Sequence, residues 1–205
     1  MKQGRLITFE GVDGAGKSTQ LERAVAWLRA RGVDTLATRE PGGTPLGEAL
    51  RELLLHQPMR LETETLLMFA ARAEHIAELI KPALAAGRWV VCDRFTDASF
   101  AYQGGGRGLA AARIADLERW VHADLQPDLT LIFDLAPEIA AQRRGAARAT
   151  ADRFEREQRE FFDRVRAAYH QRAHAYPQRV RLIDASGTPD ATWRQVEAQL
   201  DAQFA

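Results

Sequence analysis

The chain has one cysteine, no asparagine and no net charge over its 205 residues. A lone Cys92 cannot close an internal disulfide, which fits a reducing, cytoplasmic setting. It sits in the apolar run Trp89-Val90-Val91-Cys92, where a small buried hydrophobe is the expected role. Without asparagine, the Asn-Lys-x-Asp base-reading motif of GTPases is excluded. The 28 basic and 28 acidic residues balance, so neither a broad nucleic-acid footprint nor a polybasic membrane patch is expected. No apolar run approaches the length of about 20 residues that a bilayer-spanning helix needs, and the N-terminus lacks a signal-peptide core. Lysine is scarce. Only Lys2, Lys17 and Lys81 occur, every other basic residue being arginine, so the position of each lysine is informative.

What is present is an alternation of short apolar runs with longer helical patterns. Strands are expected at Leu6 to Phe9, Thr35 to Thr38, Trp89 to Cys92, Leu129 to Phe133 and Val180 to Ile183. Each run is continuously apolar, as in a parallel sheet covered on both faces. Helical spacing is read at about 18–31, 46–56, 61–86, 110–123, 137–146, 155–175 and 190–204, with Leu66, Phe69, Ala73, Ile76 and Ile80 on one face of the third. Gly32, Gly87 and the Pro127-Asp128 step punctuate the approach to strands. The expectation is one α/β domain over 1–205, a five-stranded parallel sheet with right-handed crossovers and helices on both faces. Two segments read as neither helical nor extended: 104–108, with its run of glycines, and the arginine-rich stretch 143–153.

Gly11-Val12-Asp13-Gly14-Ala15-Gly16-Lys17-Ser18 matches G-x-x-x-x-G-K-[ST] in full, between an expected strand and an expected helix. This is the phosphate-cradling loop of P-loop nucleotide-binding proteins. Its backbone N–H groups and the positive end of the following helix suit phosphate oxygens. Lys17 supplies a cation to the β- and γ-phosphates of ATP, and the Ser18 hydroxyl is a candidate Mg²⁺ ligand, with Thr19 beside it. The four-residue apolar run ending in Asp-Glu of motor ATPases is missing. In its place stands Asp93-Arg94, a carboxylate suited to Mg²⁺ and a guanidinium suited to a two-pronged grip on phosphate. Taken alone, that pair reads equally as a surface ion pair.

The stretch Asp93-Arg94-Phe95-Thr96-Asp97-Ala98-Ser99-Phe100-Ala101-Tyr102-Gln103-Gly104-Gly105-Gly106-Arg107-Gly108 closely resembles the signature of thymidylate kinases. So do Phe9-Glu10-Gly11-Val12-Asp13-Gly14, Thr38-Arg39-Glu40-Pro41-Gly42-Gly43-Thr44, Phe69-Ala70-Ala71-Arg72-Ala73 and Asp152-Arg153-Phe154-Glu155. These blocks span nearly the whole chain in the family's order. The resemblance implies transfer of the γ-phosphoryl of ATP to dTMP. It implies that Asp13 accepts from the sugar 3′-hydroxyl and that Arg94 holds the acceptor phosphate with help from Arg39 or Arg51. Phe69 would stack on thymine, a contact of about 1–3 kcal/mol, Arg72 would donate to a thymine carbonyl, and Tyr102 would favour the deoxy sugar. Gln103 is a further substrate-binding candidate. Ala98 departs from the family's usual Ser, so Ser99 is expected to reach the base edge instead.

The resemblance also makes 143–153 a lid of the bacterial type. The phosphate loop carries no cation between Gly11 and Gly16, so charge on the transferring group is expected from Arg143, Arg144, Arg148 and Arg153. Arg153 is read as catalytic with Lys17, Asp93 and Arg94, and Arg148 as ATP-binding; a solvated arginine-rich helix face is the alternative for Arg143 and Arg144. A loop at Ser186 to Asp190 is the candidate adenine contact. A homodimer through the helices near 46–56, 61–86 and 110–123 is implied. A kinase for another nucleotide or nucleoside remains open, as does a nucleotide-binding regulator without turnover.

Overall fold

The computed structural model describes residues 4–145, 152–154 and 156–204. Five strands form one parallel sheet: β1 (Leu6–Gly11), β2 (Thr35–Arg39), β3 (Trp89–Asp93), β4 (Leu129–Asp134) and β5 (Val180–Asp184), in the order β2-β3-β1-β4-β5. All five lie where the apolar runs place them, each extended by one or two residues at its C-terminal end. Every residue of β1 is buried, so both sheet faces are covered. Alternate residues feed separate clusters. Leu6, Val90 and Cys92 join Ile76 and Ile80, whereas Ile7 and Val91 join Leu28 and Val196. Cys92 is fully buried, and burial pushes its thiol well above the ordinary range, consistent with an inert core residue.

The helices are α1 (Lys17–Ala30), α2 (Pro45–His56), α3 (Leu61–His75), α4 (Lys81–Ala85), α5 (Thr96–Ser99), α6 (Ala111–His122), α7 (Pro137–Gly145), α8 (Arg159–Ala175) and α9 (Pro189–Phe204). The long helix expected at 61–86 is α3 and α4 joined by a π-helical stretch, Ile76–Ile80. Its inward face also differs from the expectation. Leu66 is 54% exposed and Ala73 is exposed, while Glu64, Thr65, Phe69, Arg72 and His75 are buried. A face that lines a polar site does not follow hydrophobic periodicity.

The glycine run expected to be irregular is helical: α5 continues into a π-helix over Phe100–Gly106. Its glycines serve close packing against α8. A Cβ on Gly105 would fall 2.5 Å from Ala168 Cβ and 2.9 Å from the Arg164 carbonyl oxygen. This seats the turn carrying Tyr102 and Gln103 against α8, at the carboxyl end of the sheet.

Candidate active site

β1 sits where the sheet connections diverge, with β3 on one side and β4 on the other, and ligands of open α/β sheets bind outside the strand ends at such a point. A cleft of about 450 Å³ opens there. The phosphate loop forms one wall. Gly11 has φ +125°, and a Cβ there would come 2.6 Å from the Phe133 carbonyl oxygen of β4. Gly14 and Gly16 also hold positive φ. Gly16 caps α1 without any side-chain hydrogen bond, which leaves the helix's first N–H groups directed to the cleft for an anion. Val12 and Ala15 send their side chains into the core and contribute backbone only, whereas Ser18 and Thr19 are exposed on the cleft. Lys17 is 5% exposed, its Nζ donating to the Gly11 and Val12 carbonyls at 3.1 and 3.2 Å, with Asp13 at 3.5 Å. Burial, with Arg94 nearby, pushes its ammonium below the ordinary value.

β3 delivers the second wall. Pairing of Phe9 with Asp93 places Asp93-Arg94 level with the start of the phosphate loop. Arg94 adopts φ +71°, a left-handed conformation that costs a non-glycine residue about 1–2 kcal/mol, and thereby turns its side chain onto the loop. Its guanidinium donates to the Gly11 carbonyl at 2.9 Å and to Asp13 Oδ1 at 2.7 Å, and lies 4.9 Å from the Tyr102 ring centroid. Asp93 Oδ1 is buried with no hydrogen-bond partner among the described residues. Beneath this pair lies Glu10, fully buried, accepting from the Phe95 N–H at 2.7 Å and the Tyr169 hydroxyl at 2.8 Å. Burial, reinforced by Asp97, pushes the Glu10 carboxyl up to about 8.

The third wall comes from α2, α3 and the π-turn. Arg39 and Arg51 line the cleft, the former paired with Glu48 at 2.9 Å and the latter donating to the Pro41 carbonyl at 2.9 Å. Arg72 is 3% exposed, donating to Glu40 at 2.7 Å, Ser99 Oγ at 3.1 Å and the Phe95 carbonyl at 3.1 Å. His75 also bonds Glu40, at 3.0 Å. Burial alone would raise the Glu40 carboxyl, but Arg72 and His75 hold it below the ordinary value. Ala98, Ser99, Tyr102 and Gln103 line the cleft, and the buried Tyr102 hydroxyl has no partner among the described residues.

Two of the expected site residues have other surroundings in the structure. Phe69 is 2% exposed, packs with Phe100 and Ile114, lies beneath Arg72 and does not line the cleft. Met68 lines it instead, four residues before Arg72 and so on the same helical face. Arg153 is not a free cation over the triphosphate site. It donates to Glu64 Oε2 at 2.6 Å and to the Leu54 carbonyl through both Nε and Nη2, which fastens 152–154 to α2 and α3. Its neighbours Asp152 and Phe154 line the cleft in its place. Of the other lid arginines, Arg148 lies outside the described residues, as does the Arg144 side chain. Arg143 lines the cleft, donating to the Ala185 and Ser186 carbonyls at 2.9 and 3.2 Å, at the border of the expected adenine loop. Glu64 and Met68 had no signal in the sequence beyond helical spacing from Arg72, whereas Glu40 stood within the family-like block Thr38 to Thr44.

A divalent cation fits this chemistry. One exposed hydroxyl, Ser18, and one orphaned carboxylate oxygen, Asp93 Oδ1, suit a Mg²⁺ that takes its remaining ligands from phosphates and water. Among the described residues no cluster of three His, Cys, Asp or Glu forms an all-protein metal cage.

Comparison with known proteins agrees with this arrangement. The family model for Thymidylate kinase matches residues 9–196. The thymidylate kinase of Methylobacillus flagellatus is 62% identical over 194 residues, covering 95% of each chain. That of Bordetella pertussis is 62% identical over 201 residues, covering 98% of this chain and 94% of its own. The crystal structure of thymidylate kinase from Ehrlichia chaffeensis superposes with a TM-score of 0.79 at 34% identity, covering 97% of this chain and 99% of that one. With a family match across nearly all of its sequence and a cleft beside its phosphate loop, this chain belongs to the thymidylate kinase family.

Proposed function

We propose that the chain transfers the γ-phosphoryl group of ATP to the phosphate of dTMP, giving ADP and dTDP. The observation that carries this reading is Arg94 bonded to both Gly11 and Asp13 of the phosphate loop, which sets a phosphate grip for the acceptor against the donor's cradle. The loop N–H groups and Lys17 hold the donor phosphates. Ser18 and Asp93 would hold Mg²⁺, which would supply positive charge to offset that of the donor phosphates.

Positioning then accounts for most of the catalysis. Arg94, aided by Arg39 and Arg51, aligns a monoester that is largely ionised near neutrality, so the chain needs no strong general base. Arg72 and Ser99 face the base, Met68 supports its ring, and the Tyr102 hydroxyl meets the sugar where a 2′-hydroxyl would crowd it. Asp13 serves the 3′-hydroxyl. Arg143, pinned to the 185–186 carbonyls, gives the adenine a planar platform. A small-molecule substrate and a cytoplasmic location are part of this proposal and fit a formal net charge of zero; among the described residues no helix is long and apolar enough to cross a membrane.

A homodimer is part of this proposal. Leu46 and Leu53 of α2, Leu66 of α3 and Trp120 of α6 are exposed, Trp120 to 82%, on the three helices the family likeness assigns to self-association. Sedimentation of the purified chain tests it.

The activity is tested by a coupled ADP assay with dTMP, dUMP and thymidine side by side under ATP and Mg²⁺. Turnover with the monophosphates and none with thymidine is expected. Thymidine turnover, or ATP binding with no ADP formed in the presence of dTMP, would overturn the proposal.

A further inference from the structure

Glu64 belongs to none of the motifs, yet its carboxylate is the junction of the acceptor wall. It is fully buried on α3, one turn before Met68 and two before Arg72. Among the described residues its carboxylate accepts from three side chains: Gln103 Nε2 at 2.7 Å and Arg107 Nε at 3.1 Å on Oε1, and Arg153 Nη1 at 2.6 Å on Oε2. Arg107 is braced in turn by Glu157 at 2.9 Å. These bonds gather α3, the π-turn and the 152–154 segment around one buried acceptor.

We propose that Glu64 is a positioning residue that sets which edge of the Gln103 amide faces the acceptor base, and so selects a pyrimidine carrying N3–H. The inference rests on the dTMP reading above and deepens it. An amide has a donor edge and an acceptor edge, and in a protein either can be turned toward a ligand. Here a carboxylate, which accepts, claims the Nε2 edge. The edge left for the cleft is Oε1, which has no partner among the described residues, although Gln103 is 1% exposed and lines the cleft. Beside it, Arg72 and the Ser99 hydroxyl it donates to offer donor groups.

An acceptor next to donors complements a 4-oxo pyrimidine, with its N3–H beside the O4 carbonyl. It opposes cytosine, which presents a lone pair at N3 and an amino group at C4. A buried polar group facing the wrong partner is costly, so a site built this way discriminates by more than shape.

The test compares kcat/KM for dTMP and dCMP in wild type, Glu64→Gln, Gln103→Leu and the double variant. In Glu64→Gln, the new amide's oxygen takes the Oε2 position, within reach of both Arg153 and Arg107, and its NH₂ lies toward Gln103. The Gln103 amide then inverts and presents a donor to the base. The dTMP/dCMP ratio is expected to fall by at least roughly tenfold, the size of one discriminating hydrogen bond, through KM for the nucleotide while KM for ATP holds. Gln103→Leu should lose comparable discrimination, and adding Glu64→Gln to it should change the ratio no further. A Glu64→Gln enzyme slower on both nucleotides by the same factor overturns the proposal and leaves Glu64 a scaffold residue. If that variant does not fold, Gln103→Leu decides alone, because it keeps both arginine ion pairs of Glu64; an unchanged ratio there overturns the proposal. Wild type that fails to phosphorylate dTMP at all defeats the underlying reading instead.

Discussion

Arg94 and Asp13 form an ion pair of 2.7 Å across the mouth of the phosphate loop, although 81 residues separate them in sequence. The same guanidinium reaches the Gly11 carbonyl. The proposed phosphate grip for the acceptor is therefore fastened directly to the phosphate loop. A displacement of one displaces the other, which suits a transfer that depends on alignment.

Arg94→Lys tests the geometry apart from the charge. An ammonium keeps the positive charge but has no planar fork, so it cannot hold Gly11, Asp13 and a phosphate together. The expected result is a fall in kcat/KM for dTMP of roughly 10²-fold or more, in line with loss of one preorganised donor. KM for ATP should change far less. Steady-state kinetics with each substrate varied in turn separates the two.

Glu10→Gln tests the buried carboxyl below this pair. Its value rises from 4.5 to about 8 on folding, chiefly through burial. The folded protein therefore holds a proton that the unfolded chain has lost between those values, and stability falls as pH rises through that window. The loss above pH 8 is at most roughly 5 kcal/mol. Glutamine keeps the shape and cannot ionise. Its melting temperature should exceed that of wild type at pH 8–9, and the difference should vanish toward pH 4.5. A constant offset across the range would show that Glu10 does not titrate.

Gly105→Ala tests the packing that seats the π-turn. The new methyl would meet Ala168 and the Arg164 backbone, neither of which can swing aside. A loss of about 1–3 kcal/mol is expected, as for overpacked cores. KM for dTMP should rise with it, because Tyr102 and Gln103 ride on the same turn. Chemical denaturation and kinetics on one preparation check both.

Arg153→Ala follows from the ion pair with Glu64. Removing one of its two arginine partners should cost roughly 2 kcal/mol, less than the 3–5 typical of an isolated buried pair because Arg107 remains. A denaturation midpoint shift is the expected signature. A large fall in kcat with unchanged stability would instead return Arg153 to the triphosphate site.

The parts legible in the sequence share a cause. The strands are continuous apolar runs because both sheet faces are covered, and the phosphate loop is legible because only glycine tolerates its backbone. Asp93-Arg94 could be placed because it ends a strand. What was not legible depends on partners distant in sequence. Phe69 and Met68 are adjacent, and which one faces the cleft is decided by the inward face of α3, where Glu64, Arg72 and His75 are polar and hydrophobic periodicity points the wrong way. Arg153 reads as a mobile lid cation until Glu64, 89 residues earlier, is found at its tip. The glycines at 104–106 read as a break in regular structure, whereas they mark close contact with α8.

Lys17→Met separates function from stability at the site's centre. The ammonium is 5% exposed, and both burial and Arg94 act against its charge. Methionine has a similar length, fills the space without a charge, and leaves the Gly11 carbonyl bonded to Arg94 and the Val12 carbonyl to the Ala15 N–H. Folding should therefore be unchanged or improved, by up to about 1 kcal/mol, as when a strained functional group is removed. Catalysis should fall by roughly two orders of magnitude or more, since the cation acts on charge that develops on the transferring phosphoryl. Thermal melting and kcat on the same variant check this, and an opposite pattern, an unstable enzyme with near-normal turnover, would make Lys17 a structural clamp on the loop and remove it from the transfer step.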